Sequence, residues 1–249
     1  MQNSAIRFYF SFRSPFAGIA VYRLRRLAMF NDFEIDLIPV WPEIVFGGHM
    51  DNPTDNLFKL AYVFADAARQ AEDAGLNAGY LKAVGNNIAV PAGTDLKKQK
   101  VGLNLPTENW PLPHYAFLYA KSQGKGWAFA DAVFQARFGF NGEGAKDVMD
   151  KDVLRDIAIT LELNPDALVS AHESGEYDLE LNRYIEQGEA DGVFGVPFFV
   201  VDSTANQPEG KEVFWGNDHL PYLYKVLTDC AELPLISSKD LASIQAHRQ

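Results

Sequence analysis

The stretch FYFSFRSPFA, Phe8 to Ala17, decides how the rest of the chain is read. Ile6, Phe8 and Phe10 alternate with Arg7, Tyr9 and Ser11, with no Gly or Pro inside, which is the pattern of a largely buried strand. From Phe16 the period changes. Phe16, Ala20, Leu24 and Leu27 share one side of a helix, while Arg23, Arg25 and Arg26 fall elsewhere. Pro15 suits the first helical position, because the N–H it lacks would have no intrahelical partner there. Ser14 is then the N-cap. Its hydroxyl either only caps the helix or, together with the free N–H groups at the positive helix end, faces an anionic ligand atom.

Downstream, Asn31 and Asp32 make a turn, and Phe33, Ile35 and Leu37 alternate with Glu34 and Asp36 as a second strand ending near Pro39. A strand, a helix of this length and another strand imply a parallel pair. Pro42, Gly47, Gly48 and Pro53 mark a loop leaving the sheet, and helices are expected at 55–74, 113–122, 127–138, 151–161, 165–172 and 178–190. On the first of these Lys59, Tyr62, Asp66 and Arg69 form one polar stripe, either a solvated face or a ligand-facing edge. Residues 76–110, broken by Gly and Pro, read as irregular with a short helix near Tyr80 to Val84. Strand character returns in GVFGVPFFVVD, Gly192 to Asp202, and in KEVFW, Lys211 to Trp215. An amphipathic helix follows from Asp218 to Cys230, with Asn217 or Asp218 as its cap.

The composition narrows the chemistry. With 249 residues, 47% of them hydrophobic, the chain has ample material for one large domain or two entwined ones. A formal charge of −11 argues against nucleic acid or anionic membrane as partners, because the electrostatic part of such binding is repulsive. Met1 to Ser4 lacks a basic n-region and no stretch approaches a membrane span, so a cytoplasmic location is expected. Cys230 is the single cysteine, which excludes an internal disulfide and any two-thiol redox cycle. Any thiol used in chemistry must arrive with a ligand. His49, His114, His172, His219 and His247 show no ligand spacing, and no metal is expected.

In disulfide oxidoreductases of the thioredoxin fold, a Cys-x-x-Cys occupies such a strand-to-helix corner, often with Pro after the first Cys. Here Ser14 and Ala17 stand at those two positions. The context FYFSFRSPFAG resembles the kappa-class glutathione transferases and the 2-hydroxychromene-2-carboxylate isomerases. That resemblance implies an α/β fold, a thioredoxin-like four-stranded sheet interrupted by an all-helical insertion. Residues 1–45 and 192–249 would form the discontinuous thioredoxin-like domain, and 46–191 the insertion. It also implies a cis peptide bond at Val196-Pro197, beside the corner, with the Val196 backbone edge pairing with glutathione as an added strand. Ser14 would face the sulfur as the catalytic residue. Asn217 and Asp218 would hold the γ-glutamyl end, Lys59 the glycine carboxylate, and Asn52 and Tyr62 further parts of the cofactor. Arg13 and Phe16, where the family carries other residue types, would line the pocket for an electrophile. A homodimer is the family's habit. The function implied is a glutathione-dependent isomerase acting on an aromatic or conjugated small molecule. The alternatives are a kappa-like transferase that forms stable conjugates, and a non-catalytic thioredoxin-like module that holds a peptide.

Overall fold

A computed structural model describes residues 6–26, 33–40, 57–88, 111–202 and 210–228. Strands β1 (Ile6–Phe10) and β2 (Ile35–Pro39) pair in parallel, Phe8 beside Leu37, with helix α1 (Pro15–Arg26) joining them in sequence. Strand β3 (Phe198–Asp202) runs antiparallel to β1, and β4 (Lys211–Trp215) antiparallel to β3, giving the order β2-β1-β3-β4. Between β2 and β3 come α2 (Leu57–Asp73), α3 (Gly79–Asn87), α4 (Pro111–Ser122), α5 (Gly126–Phe138), α6 (Lys151–Thr160), α7 (Pro165–Ser174) and α8 (Asp178–Asp191). A 3-10 turn, Asn217–His219, leads into α9 (Leu220–Thr228). This is the expected four-stranded thioredoxin-like sheet with a helical insertion. Among the described residues no helix is long and apolar enough to cross a membrane.

Local signals set most of the helix starts. Asn164 caps α7 by accepting from the Asp166 and Ala167 N–H groups, both at 3.1 Å, with Pro165 in the first turn. Helix α3 is longer than the short helix expected from sequence, and the Asn77 side chain receives the Gly79 N–H at 2.9 Å as it begins.

Strand β1 is buried on both faces. On one, Phe8 stacks on Phe199 at 4.7 Å, Phe10 meets Phe117 edge-on at 5.0 Å, and Phe12, just past the strand, lies 5.0 Å from Phe134. Phe117 belongs to α4 and Phe134 to α5, so the aromatic core runs from the sheet into the inserted helices without a break. Gly18 allows that approach: a Cβ there would sit 2.8 Å from the Phe134 ring. On the other face Tyr9, Ile38, Val193, Phe198 and Val200 form a smaller cluster.

The arginines of α1 depart from expectation. The helical period sets them off the apolar stripe, yet that side of α1 faces protein, because α2, α5 and the 217–219 turn flank it. Arg23 is only 6% exposed and donates to Asn217 Oδ1 at 2.6 Å and to Asp73 on α2 at 2.8 Å. Burial pulls its pKa down, against the pull of Asp73 and Asp218. Arg25 and Arg26 both reach Asp131 on α5, at 2.6 and 3.3 Å. All three side chains therefore tie α1 to its neighbours.

Across the sheet, Asp191 at the end of α8 gathers Arg7, Tyr9 and Lys211. It accepts from Arg7 Nε at 2.6 Å, from the Tyr9 hydroxyl at 2.5 Å and from Lys211 Nζ at 3.1 Å. Arg7 also pairs with Asp202. Burial alone would push the Asp191 carboxyl up, but its hydrogen bonds from Arg7, Tyr9 and Lys211 outweigh that and hold it below the ordinary range.

Candidate active site

The corner between β1 and α1 is held by its own backbone and by one side chain from the insertion. Ser14 N–H donates to the Ser11 carbonyl at 3.0 Å, which turns the chain from strand into helix. Ser14 Oγ then accepts from the Ala17 N–H at 3.2 Å, the N-cap bond expected from Pro15 at the first helical position. The same hydroxyl donates to the Val196 carbonyl at 3.3 Å. Ser14 is half-buried, as are Arg13 and Phe16 beside it, so the hydroxyl is neither sealed in the core nor lost to bulk water.

Val196-Pro197 is a cis peptide bond, as the resemblance implied. The Pro197 carbonyl accepts from Gly216 N–H at 3.0 Å, which docks the end of β4 against it. Gly216 has φ +99°, and a Cβ there would lie 2.3 Å from Asp218 Oδ1, so only glycine lets the Asp218 side chain fold back over the turn. Ser14, Val196, Pro197 and Gly216 thus form one connected rim.

Other expected residues fall into different roles. Gly216 occupies the cap position of the 3-10 turn that leads into the last helix, and no side chain caps that turn. Asn217 is 1% exposed, and its amide is committed inside the protein. Its Oδ1 accepts from Arg23, and its Nδ2 donates to Gln70 on α2 at 2.7 Å. It holds the turn rather than presenting a polar group to solvent. Asp218 is exposed on that turn. Lys59 and Tyr62 lie on an exposed face of α2, where Arg69 pairs with Asp66 at 2.9 Å and lies over the Tyr62 ring at 5.7 Å. Those pairings favour the solvated reading of the stripe. Asn52 lies outside the described residues.

Two residues at the site were not singled out by sequence. Arg23 was assigned to an outer face, and nothing in a helical period reveals that a second and third layer cover it. His114, like the other histidines, has no metal-ligand spacing in the sequence. It is fully buried on α4, and its Nε2 lies 3.3 Å from both Phe12 N and Ser11 Oγ. The available signal was its place in PLPHYAFL: a polar ring inside an apolar run needs a buried partner.

A four-stranded sheet of this order, with a helix tip facing a cis proline, defines the thioredoxin-like class, here with serine and alanine at the corner positions 14 and 17. The chain belongs to the family of DSBA-like thioredoxin domains, whose model matches residues 5–228. It is 28% identical over 234 residues to the 2-hydroxychromene-2-carboxylate isomerase of Sphingobium xenophagum, covering 91% of this chain and 100% of that one. The enzyme of the same name from Pseudomonas putida is 29% identical over 234 residues, covering 86% and 90%. Among solved structures, a 2-hydroxychromene-2-carboxylate isomerase superposes with a TM-score of 0.64 at 21% identity, over 90% of this chain and 95% of that one. The cytosolic disulfide reductase DsbM from Pseudomonas aeruginosa, solved with GSH, superposes with a TM-score of 0.56 at 13% identity, over 90% and 97%. The resemblance drawn from the Ser-Pro corner therefore extends along most of the chain, and relatives that carry an isomerase name support an enzyme of that class.

Proposed function

We propose that the protein is a glutathione-dependent isomerase of the 2-hydroxychromene-2-carboxylate isomerase type. The observation that carries this reading is the placement of the Ser14 hydroxyl, at the α1 N-terminus and 3.3 Å from the carbonyl preceding cis-Pro197, at a corner whose own sequence, FYFSFRSPFA, holds no cysteine. When bound, glutathione supplies a thiolate that adds reversibly to a conjugated ring system and leaves unchanged.

The residues fit such a ligand. Ser14 has one hydroxyl proton, now donated to Val196, and a sulfur anion at the helix tip is a stronger acceptor than a carbonyl. Redirecting that proton, with the positive helix end behind it, favours the ionised thiol. The Val196 edge offers backbone groups to an extended tripeptide, and exposed Asp218 offers a carboxylate to an α-amine. Arg13, beside the corner, is suited to a carboxylated electrophile.

The magnitude of the serine effect is bounded. A free thiol with pKa near 8.5 to 9 is already about one to a few per cent ionised at neutral pH, so complete ionisation gives at most about 30- to 100-fold. Further acceleration must come from holding sulfur and electrophile together. Calorimetric titration with millimolar glutathione tests the binding, and the product mass after turnover of 2-hydroxychromene-2-carboxylate tests the reaction. Heat of binding and a product of unchanged mass are expected. A product heavier by one glutathione would make the enzyme a transferase, and no heat with no rise in melting temperature would overturn glutathione dependence.

A further inference from the structure

His114 is a buried titratable group at the corner that the proposed chemistry does not use. It is fully buried on α4, in the insertion, yet its ring reaches across to Ser11, just past the end of β1. Phe12 N–H donates to Nε2 at 3.3 Å, so that nitrogen carries a lone pair and the ring proton sits on Nδ1. Ser11 Oγ, also fully buried and 3.3 Å from the same nitrogen, then donates its own proton to it. That leaves the Ser11 oxygen to accept the Arg13 N–H, at 3.3 Å. Ser14 N–H completes the turn on the Ser11 carbonyl. Every backbone N–H from Phe12 to Ser14 is thus oriented by His114 directly, by the serine it holds, or by that serine's carbonyl. The Phe12 ring packs 5.2 Å from the imidazole and fixes its plane.

We propose that His114 is a positioning residue for the Ser14 corner, its lone pair on Nε2 holding the Ser11–Arg13 turn in the shape that aims the Ser14 hydroxyl at the ligand sulfur. This rests on the reading of Ser14 as a thiol-facing group, and it makes the site a joint product of the sheet and the insertion. Glutamine can return an acceptor oxygen close to the Nε2 position, whereas leucine has similar bulk and no acceptor.

The test compares His114→Leu and His114→Gln in the full chain by amide hydrogen exchange and by the ultraviolet thiolate absorbance of bound glutathione. In His114→Leu the Phe12 and Arg13 amides should exchange about tenfold faster and the thiolate fraction should fall several-fold, as expected for a buried hydrogen bond worth about 1–1.5 kcal/mol. Protection in α6 and α7 should be unchanged, and His114→Gln should restore most of both signals. Wild-type exchange and thiolate signals in the leucine variant, or equal impairment in both variants, would overturn the proposal. Should His114→Leu fail to fold, Ser11→Ala removes the relay from His114 to Arg13 and leaves the Phe12 N–H on Nε2. Faster exchange there with a lower thiolate fraction supports the inference, and no change overturns it. A wild-type protein that binds no glutathione would sink the thiol reading, while Phe12 exchange would still decide whether His114 holds the turn.

Discussion

Ser14 does two jobs with one oxygen, and a single substitution separates them. Ser14→Ala removes the cap on the Ala17 N–H, which lowers stability by about 1 kcal/mol in a denaturant titration. It also removes the side-chain donor at the Val196 carbonyl and, on the proposed reading, the hydrogen bond that a charged sulfur would take, worth about 1.5–3 kcal/mol. If glutathione binds as proposed, turnover should fall by about 10- to 100-fold with glutathione affinity little changed, because the Val196 edge and Asp218 would still hold the tripeptide. A variant that loses the stability but keeps the turnover would return Ser14 to a capping role. The two roles were both visible in the spelling Ser-Pro after a strand; which of them operates was not, because the Val196 carbonyl arrives from 182 residues away in sequence.

At the scale of the element, α1 is fixed at both ends, and its packing gives two predictions. Asn217→Ala would remove the acceptor for the buried Arg23 guanidinium and the donor to Gln70 together, and should lower stability by about 2–3 kcal/mol in urea unfolding. Gly18→Ala sets two effects against each other. Alanine is favoured over glycine within a helix by about 1 kcal/mol. The new Cβ would lie 2.8 Å from the ring of Phe134, which is buried and hemmed in by Phe10, Phe12 and Phe138, and overpacking of that kind costs about 1–3 kcal/mol. The clash should win, lowering the melting temperature and leaving far-ultraviolet helicity unchanged. The helices themselves were legible to within a few residues, since Pro165, Asn164 and the apolar periods act locally. The burial of Arg23 was not, because only the folded chain shows that α2 and the 217–219 turn close over it.

For the whole molecule, the acid limb of stability should report the Asp191 cluster. Burial pushes Asp191 up, but hydrogen bonds from Arg7, Tyr9 and Lys211 leave it net below its ordinary value, and Arg7 holds Asp202 down as well. A carboxyl whose folded pKa lies below its unfolded value contributes stability that is fully present above the unfolded value and lost as pH falls through the folded one. The loss is therefore expected below the ordinary carboxylate value of 3.8. Asp191→Asn should be less stable than the wild type at neutral pH, and the gap between their melting temperatures should narrow as the pH is lowered past that point. A constant gap would remove Asp191 from the acid response. Sequence order, read with the resemblance at the Ser-Pro corner, disclosed the interrupted sheet, since the strand periods bracket a helical middle. It could not disclose that Arg7 and Asp191, 184 positions apart, share one charge cluster.

The unbroken band of phenyl rings from β1 into α4 and α5 bears on how this protein can be rebuilt. A chimera that keeps the sheet and borrows another protein's helices would inherit Phe10 and Phe12 with nothing to lie against, and a corner loop without its anchor. Any transplant of the corner loop has to carry residues 111–138 along with it, because here the scaffold and its insert share one core.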